Sequence, residues 1–207
     1  VDTEQGKLLQ SGGETHLQIG LQAAKTEAPR RPQVNLVLVI DRSGSMGDEN
    51  KLSFATRAAM DVIDGLKPTD TLAIVAYDDQ VSVLSPAGPA KSKDALKQKV
   101  KTLSPGGSTN IYDGLRKGYE QAKATFTKDG VNQVILLSDG MVTAGVEDPN
   151  AFNEMASKMA DGDIQTTAIG MGMDFDDALM TQIAQSGRGN YHFIKDASEA
   201  QGIFAKE

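Results

Sequence analysis

The sequence predicts an α/β protein: an open, doubly wound sheet of about six mainly parallel strands, with one antiparallel edge strand and helices on both faces. Three observations lead there. Apolar runs rich in Val, Ile and Leu alternate along the chain with segments whose apolar residues fall at helical spacing. The runs are almost uninterrupted by polar residues, as expected of strands covered on both faces. Two of them, "VNLVLVI" at 34–40 and "VNQVILLS" at 131–138, lead directly into aspartate, Asp41 and Asp139.

The elements follow in order. After the first strand comes a polar, Gly-containing loop and then "KLSFATRAAMDVIDGL", whose Leu52, Ala55, Ala59, Val62, Ile63 and Leu66 share one helical face. The runs "TLAIVAY" (71–77) and "QVSVLS" (80–85), separated by Asp78 and Asp79, read as a hairpin and supply the antiparallel strand. Two helices come next, one from Lys91 to Leu103 with Leu96, Val100 and Leu103 inward, the other after Asn110 with Ile111, Leu115, Tyr119 and Ala122 inward. Following the strand at 131, Asp148 is placed as N-cap with Pro149 at the first helical position. "DIQTTAIGMG" is the fifth strand, "DDALMTQIAQS" the next helix and "NYHFIK" the last strand, with Asp196 and Glu199 spaced as a capping box for a closing helix. With strand order 3-2-1-4-5-6, the strands at 34–40 and 131–137 are neighbours where the order reverses. Ligands of such sheets bind in that crevice, outside the carboxyl ends of the strands.

Residues 1–32 read as an extension: 15–23 alternates like a strand, with Leu17, Ile19 and Leu21 on one side, and "QAAKTEAPRRPQ" (22–33) reads as a linker. Residues 33–207 form the main domain. The N-terminus has neither an initiating Met nor a signal-peptide pattern, as expected of a mature form or an excised segment. With 21 basic and 28 acidic residues the formal charge is -7, which disfavours nucleic acid or an anionic membrane surface as the main partner. No apolar run approaches the roughly 20 residues that span a bilayer. The absence of cysteine excludes disulfides and thiolate metal sites.

The chemistry concentrates in "DRSGS". Asp41, Ser43 and Ser45 alternate around a turn opened by Gly44, so one carboxylate and two hydroxyls can converge on a point. Hard divalent cations take oxygen ligands, and Mg²⁺ keeps several waters. Two further stretches lead to the same crevice: "SPGGSTN" (104–110), with Thr109 just before a helix, and "LLSDG" (136–140), with Asp139. Taken alone, D-x-S-x-S also fits a simple Asx-type turn capping a helix.

Together these residues resemble the von Willebrand factor type A domain with its metal-ion-dependent adhesion site. That family's pattern is D-x-S-x-S, then a Thr in a Gly-rich loop, then an Asp after an apolar strand, matched here by Asp41, Ser43, Ser45, Thr109 and Asp139 over residues 33–207. The resemblance implies a Mg²⁺ or Mn²⁺ site, with Ser43, Ser45 and in some states Thr109 as direct ligands, and Asp41 and Asp139 acting through waters or hydrogen bonds. It implies a partner protein whose Glu or Asp carboxylate completes the coordination. Arg42, Met46, Ser108, Asn110 and Met141 are expected to form the contacting rim. The overall style is more similar to bacterial type A domains and to the heavy chains of inter-alpha-trypsin inhibitor, and an extracytoplasmic or cell-surface setting is favoured.

The remaining features take plainer readings. Asp48 and Glu49 form a solvated acidic loop rather than a second ion site, and the helix at 175–186 is an ordinary packed one rather than a moving reporter of ligation. His16 and His192, without acidic or serine motifs beside them, are surface or strand-end residues. Catalysis is disfavoured. A phosphoryl-accepting aspartate commonly has a second acid two residues on, where Ser43 stands. A phosphate loop needs G-x-x-x-x-G-K-[ST], a dinucleotide fold a Gly-rich first turn and a serine hydrolase G-x-S-x-G; none is present in convincing form. The alternative is a structural or adaptor domain with the metal in a supporting role.

Overall fold

In the computed structural model, residues 31–172 and 176–194 are described. The strand-like segment at 15–23 with His16, most of the linker, the first residue of the helix expected at 175–186 and the Asp196/Glu199 capping box lie outside them.

Six strands form one sheet. β1 (Val34–Asp41) runs parallel to β2 (Thr71–Tyr77) on one side and to β4 (Val131–Ser138) on the other, with Leu38 opposite both Ile74 and Ile135. β3 (Val81–Pro89) is antiparallel to β2, while β5 (Gln165–Met171) and β6 (Arg188–Ile194) extend the sheet beyond β4 in parallel. The order β3-β2-β1-β4-β5-β6 is the expected one, with the reversal between β1 and β4. β3 continues past the predicted end at residue 85 to Pro89. Pro86 and Pro89 are tolerated because β3 is an edge strand, where a missing N–H need not break a ladder.

Alternation along β1 sorts its side chains into two cores. Leu36, Leu38 and Ile40 pack under α1 (Lys51–Gly65) and α2 (Lys93–Lys101), against Ala55, Ala59, Ile63, Leu96 and Val100. Val37 and Val39 face the other way, toward α3 (Ile111–Ala124), α4 (Pro149–Ala160) and α5 (Asp177–Ser186), where Leu115, Tyr119, Phe152, Met180 and Ile183 are buried. Each fully buried aliphatic or aromatic side chain of this kind contributes roughly 1.5–3 kcal/mol. α3 approaches the sheet closely because it presents glycine: a Cβ at Gly118 would collide with Val39 Cγ2, and one at Gly114 would stand 2.5 Å from Tyr77 Cδ1.

Caps set where the helices begin. Asn110 Oδ1 accepts from Asp113 N at the start of α3, Asp148 accepts from Asn150 N with Pro149 at the first turn of α4, and Asp176 accepts from Leu179 N before α5. α1 has no such side-chain cap; a 3-10 segment, Gly44–Asn50, leads into it, with Glu49 and Asn50 in the left-handed region. This segment replaces the plain loop expected there, and its turns bring Lys51 inward. At the amino end of β1, Asn35 Nδ2 donates to Ala122 O and Asn132 Oδ1, and Thr125 Oγ1 donates to Asn35 Oδ1. That end is closed by satisfied polar groups.

Candidate metal centre

Asp41 is fully buried at the carboxyl end of β1 and is held from three directions. Ser43 N donates to Oδ1 at 2.8 Å, closing an Asx turn, while Ser138 Oγ (2.6 Å) and Tyr77 OH (3.2 Å) both donate to Oδ2. Burial pushes the Asp41 carboxyl above its ordinary range, against the opposing pull of hydrogen bonds from Ser138 and Ser43; the Asp139 charge adds to the rise. Burial also pushes the Tyr77 phenol well up, with the Asp41 charge contributing, so Tyr77 stays a protonated donor. The turn fixed in this way brings Ser43 Oγ and Ser45 Oγ to 3.3 Å from each other.

The loop carrying Thr109 is tied to this turn by backbone bonds: Gly44 N to Gly107 O at 3.0 Å and Gly106 N to Arg42 O at 2.9 Å. Thr109 itself is buried, and its backbone is clasped by the β4–α4 connection. Its N–H donates to Thr143 Oγ1 (2.8 Å) and its carbonyl accepts from Thr143 N and Ala144 N. Position therefore comes from the backbone, and the hydroxyl is not needed to hold the loop.

Asp139 follows β4 and is fully buried. One oxygen, Oδ2, pairs with Lys51 Nζ at 3.3 Å; the other, Oδ1, is buried with no hydrogen-bond partner. A buried carboxylate oxygen left unsatisfied is costly unless a ligand or water reaches it. That orphan is the observation by which the donor set fits a cation. Among the described residues no group of three or more His, Asp or Glu gathers as a metal site, so a cation here would depend on hydroxyls as well as carboxylates. Mg²⁺ and Mn²⁺ suit such oxygen donors.

Two of the expected rim residues are buried. Met46 is fully buried in the α1-side core, where the 3-10 turn tucks it beneath the sheet end. Asn110 is spent as the α3 cap, with Nδ2 also donating to Asp113 Oδ2. Arg42 is partly exposed and pairs with the buried Asp78 at 2.5 Å, while Ser108 and Met141 are exposed. Asp48 and Glu49 are exposed as well. The His192 backbone pairs with that of Ile169, in a strand separated from β1 by β5 and β4.

Sequence reasoning missed Lys51, Tyr77, Ser138 and Thr143. Lys51 was detectable as a charge on the apolar stripe of its helix, four residues before Ala55. Ser138 stands out as the one hydroxyl ending an apolar strand beside Asp139. Tyr77 reads as ordinary core, and Thr143 carries no signal.

Residues 35–206 match the family model of the von Willebrand factor type A domain. The chain is similar to the uncharacterized protein YfbK of Escherichia coli K12, 31% identical over 194 residues covering 93% of this chain and 34% of that protein. It is also similar to mouse inter-alpha-trypsin inhibitor heavy chain H3, 29% identical over 80% of this chain and 20% of that protein. The chain thus spans about a third and a fifth of these relatives. Among solved structures, proximal thread matrix protein 1 from the mussel byssus, with a zinc-occupied adhesion-site motif, superposes with TM-score 0.68 at 20% identity, covering 85% of this chain and 47% of that one. With the family model spanning most of its length and the sheet order, turn and loops arranged as described, this chain belongs to the von Willebrand factor type A domain family.

Proposed function

We propose that the crevice at the carboxyl ends of β1 and β4 is a divalent-cation site for Mg²⁺ or Mn²⁺, through which the domain binds a partner protein by a Glu or Asp side chain. The buried, unpartnered Oδ1 of Asp139 and the Ser43–Ser45 hydroxyl pair, which follow the neighbouring strands β4 and β1, carry this reading. Ser43 and Ser45 act as direct ligands, joined by Thr109 when the anion is bound. Asp41, whose oxygens already accept three hydrogen bonds, and Asp139 act through waters and neighbours. Arg42, Ser108 and Met141 form the contacting rim. Neutral hydroxyls leave charge on the ion for an incoming carboxylate. The zinc-occupied motif of the mussel relative supports metal at this place in the fold.

The domain acts by binding and not by catalysis, with residues 33–207 as the binding module, 1–32 as its extension, and an extracytoplasmic or cell-surface setting. No helix among the described residues is long and apolar enough to cross a membrane. The test is calorimetric titration of the metal-stripped protein with Mg²⁺ and Mn²⁺, beside Asp41→Ala and with acetate as a simple carboxylate. Saturable binding that the variant loses and acetate tightens is expected. Unchanged affinity in a folded Asp41→Ala protein overturns the site.

A further inference from the structure

Lys51 is a lysine in an unusual place. Its side chain is 6% exposed, and its ammonium reaches Asp139 Oδ2 at 3.3 Å from the first residue of α1. Space for the stem is made by the β5–α5 connection. Gly172, at φ +87°, faces it so closely that a Cβ there would collide with Lys51 Cε and stand 3.1 Å from Cδ. A buried ammonium costs several kcal/mol of lost hydration unless it has an opposing charge. Here it has half of one carboxylate, and the other half is the orphaned Oδ1.

The buried charges at the sheet end can be counted. Asp41, Asp139 and Lys51 are each more than nine-tenths buried. Two carboxylates would balance a divalent cation, and the ammonium then leaves one positive charge over. Arg42 and Asp78 cancel each other, and Asp48, Glu49 and Asp79 lie exposed, where water screens them. We infer that Lys51 is a positioning and specificity residue of the metal centre: it holds Asp139 by Oδ2 so that Oδ1 stays available, and it keeps the loaded site one charge positive, so that an anion is preferred as the completing ligand. This rests on the proposed cation site and adds the residue that selects a carboxylate over a neutral oxygen donor.

The experiment measures coupling, not activity. Mn²⁺ affinity of the metal-stripped protein is measured calorimetrically and by the loss of the free-ion paramagnetic resonance signal, with and without acetate, and with acetamide as the neutral donor. Wild type, Lys51→Gln and Lys51→Arg are compared. Gln keeps a donor for Asp139 without the charge; Arg keeps the charge. Acetate is expected to tighten Mn²⁺ about fivefold or more in the wild type, within the ordinary range of coupling between sites. That factor should fall about threefold or more in Lys51→Gln, as expected for loss of a unit charge a few ångströms away, while Arg largely retains it and acetamide has no effect in any protein. Should Lys51→Gln not fold, Lys51→Met fills the same space opposite Gly172 and is expected to lose the coupling likewise. Undiminished acetate coupling in a folded neutral variant overturns the role of Lys51 and leaves the cation site standing. Failure of the wild type to bind Mn²⁺ overturns both.

Discussion

Ser138 Oγ donates to Asp41 Oδ2 at 2.6 Å and accepts from Gly140 N at 2.9 Å, so one buried hydroxyl joins the ends of β1 and β4 and starts the turn beyond Asp139. Ser138→Ala removes a donor from a buried carboxylate and an acceptor from a buried N–H together. The expected loss is about 1–3 kcal/mol, the usual cost of leaving such groups unpaired, read as a lower urea midpoint. Metal affinity should fall too, because Asp41 loses a restraint on its orientation. A variant as stable as wild type would show that water replaces the hydroxyl at no cost.

A pH dependence follows from the raised carboxyl of Asp41, whose first cause is burial. The folded protein holds this proton more tightly than the unfolded chain, so the group's contribution favours folding most at low pH and is lost as pH rises through the raised value. A bound cation opposes that loss by favouring the ionised form. The stabilisation conferred by saturating Mg²⁺, taken as the shift in urea midpoint, is therefore expected to grow with pH through this range. In Asp41→Asn the growth should be absent. Constant stabilisation across pH in the wild type would show that Asp41 does not sense the ion.

Thr109 and Thr143 divide the work of one loop. Because the Thr109 backbone is held by Thr143 Oγ1 and N and by Ala144 N, Thr109→Ala should leave the loop in place. Mn²⁺ alone is then expected to bind within about twofold of wild type, with the tightening by acetate reduced about fivefold or more, a difference measurable as a coupling free energy. Equal losses in both titrations would mean that the hydroxyl ligates before any anion arrives.

Much of this was legible in the chain because two periodicities and five polar residues stood against an apolar background. The doubly wound class follows from buried parallel strands, and Asp148–Pro149 marks a helix start by chemistry that is local. The illegible parts depend on burial that only tertiary packing decides. Met46 looks like any residue of a polar loop until the 3-10 turn folds it into the core. Asn110 belongs to the rim by position, but a cap needs its side chain. Lys51 falls on the apolar stripe of its helix, but nothing local says that Gly172, more than a hundred residues on, leaves room for it.

The packing of α3 reaches β1 near its carboxyl end through Val39. Gly118 of α3 lies against Val39 Cγ2, and Val39 is two residues before Asp41 on the same side of β1. A methyl at Gly118 favours the helix by about 1 kcal/mol, yet forcing volume into a packed interface typically costs 1–3 kcal/mol. Gly118→Ala should therefore lower the melting temperature and, by displacing β1 next to its carboxyl end, weaken Mn²⁺ binding as well. Gly65, the last residue of α1, offers the contrast: a Cβ there meets nothing within 4 Å. With only the propensity difference acting, Gly65→Ala should be neutral or stabilising, by up to about 1 kcal/mol, with Mn²⁺ affinity unchanged. Scanning calorimetry and Mn²⁺ titration of both variants separate the effects. Destabilisation by Gly118→Ala with full metal affinity would show that the sheet end is insulated from the packing of α3. Loss of affinity in both variants would show that the effect is not specific to the contact between α3 and β1.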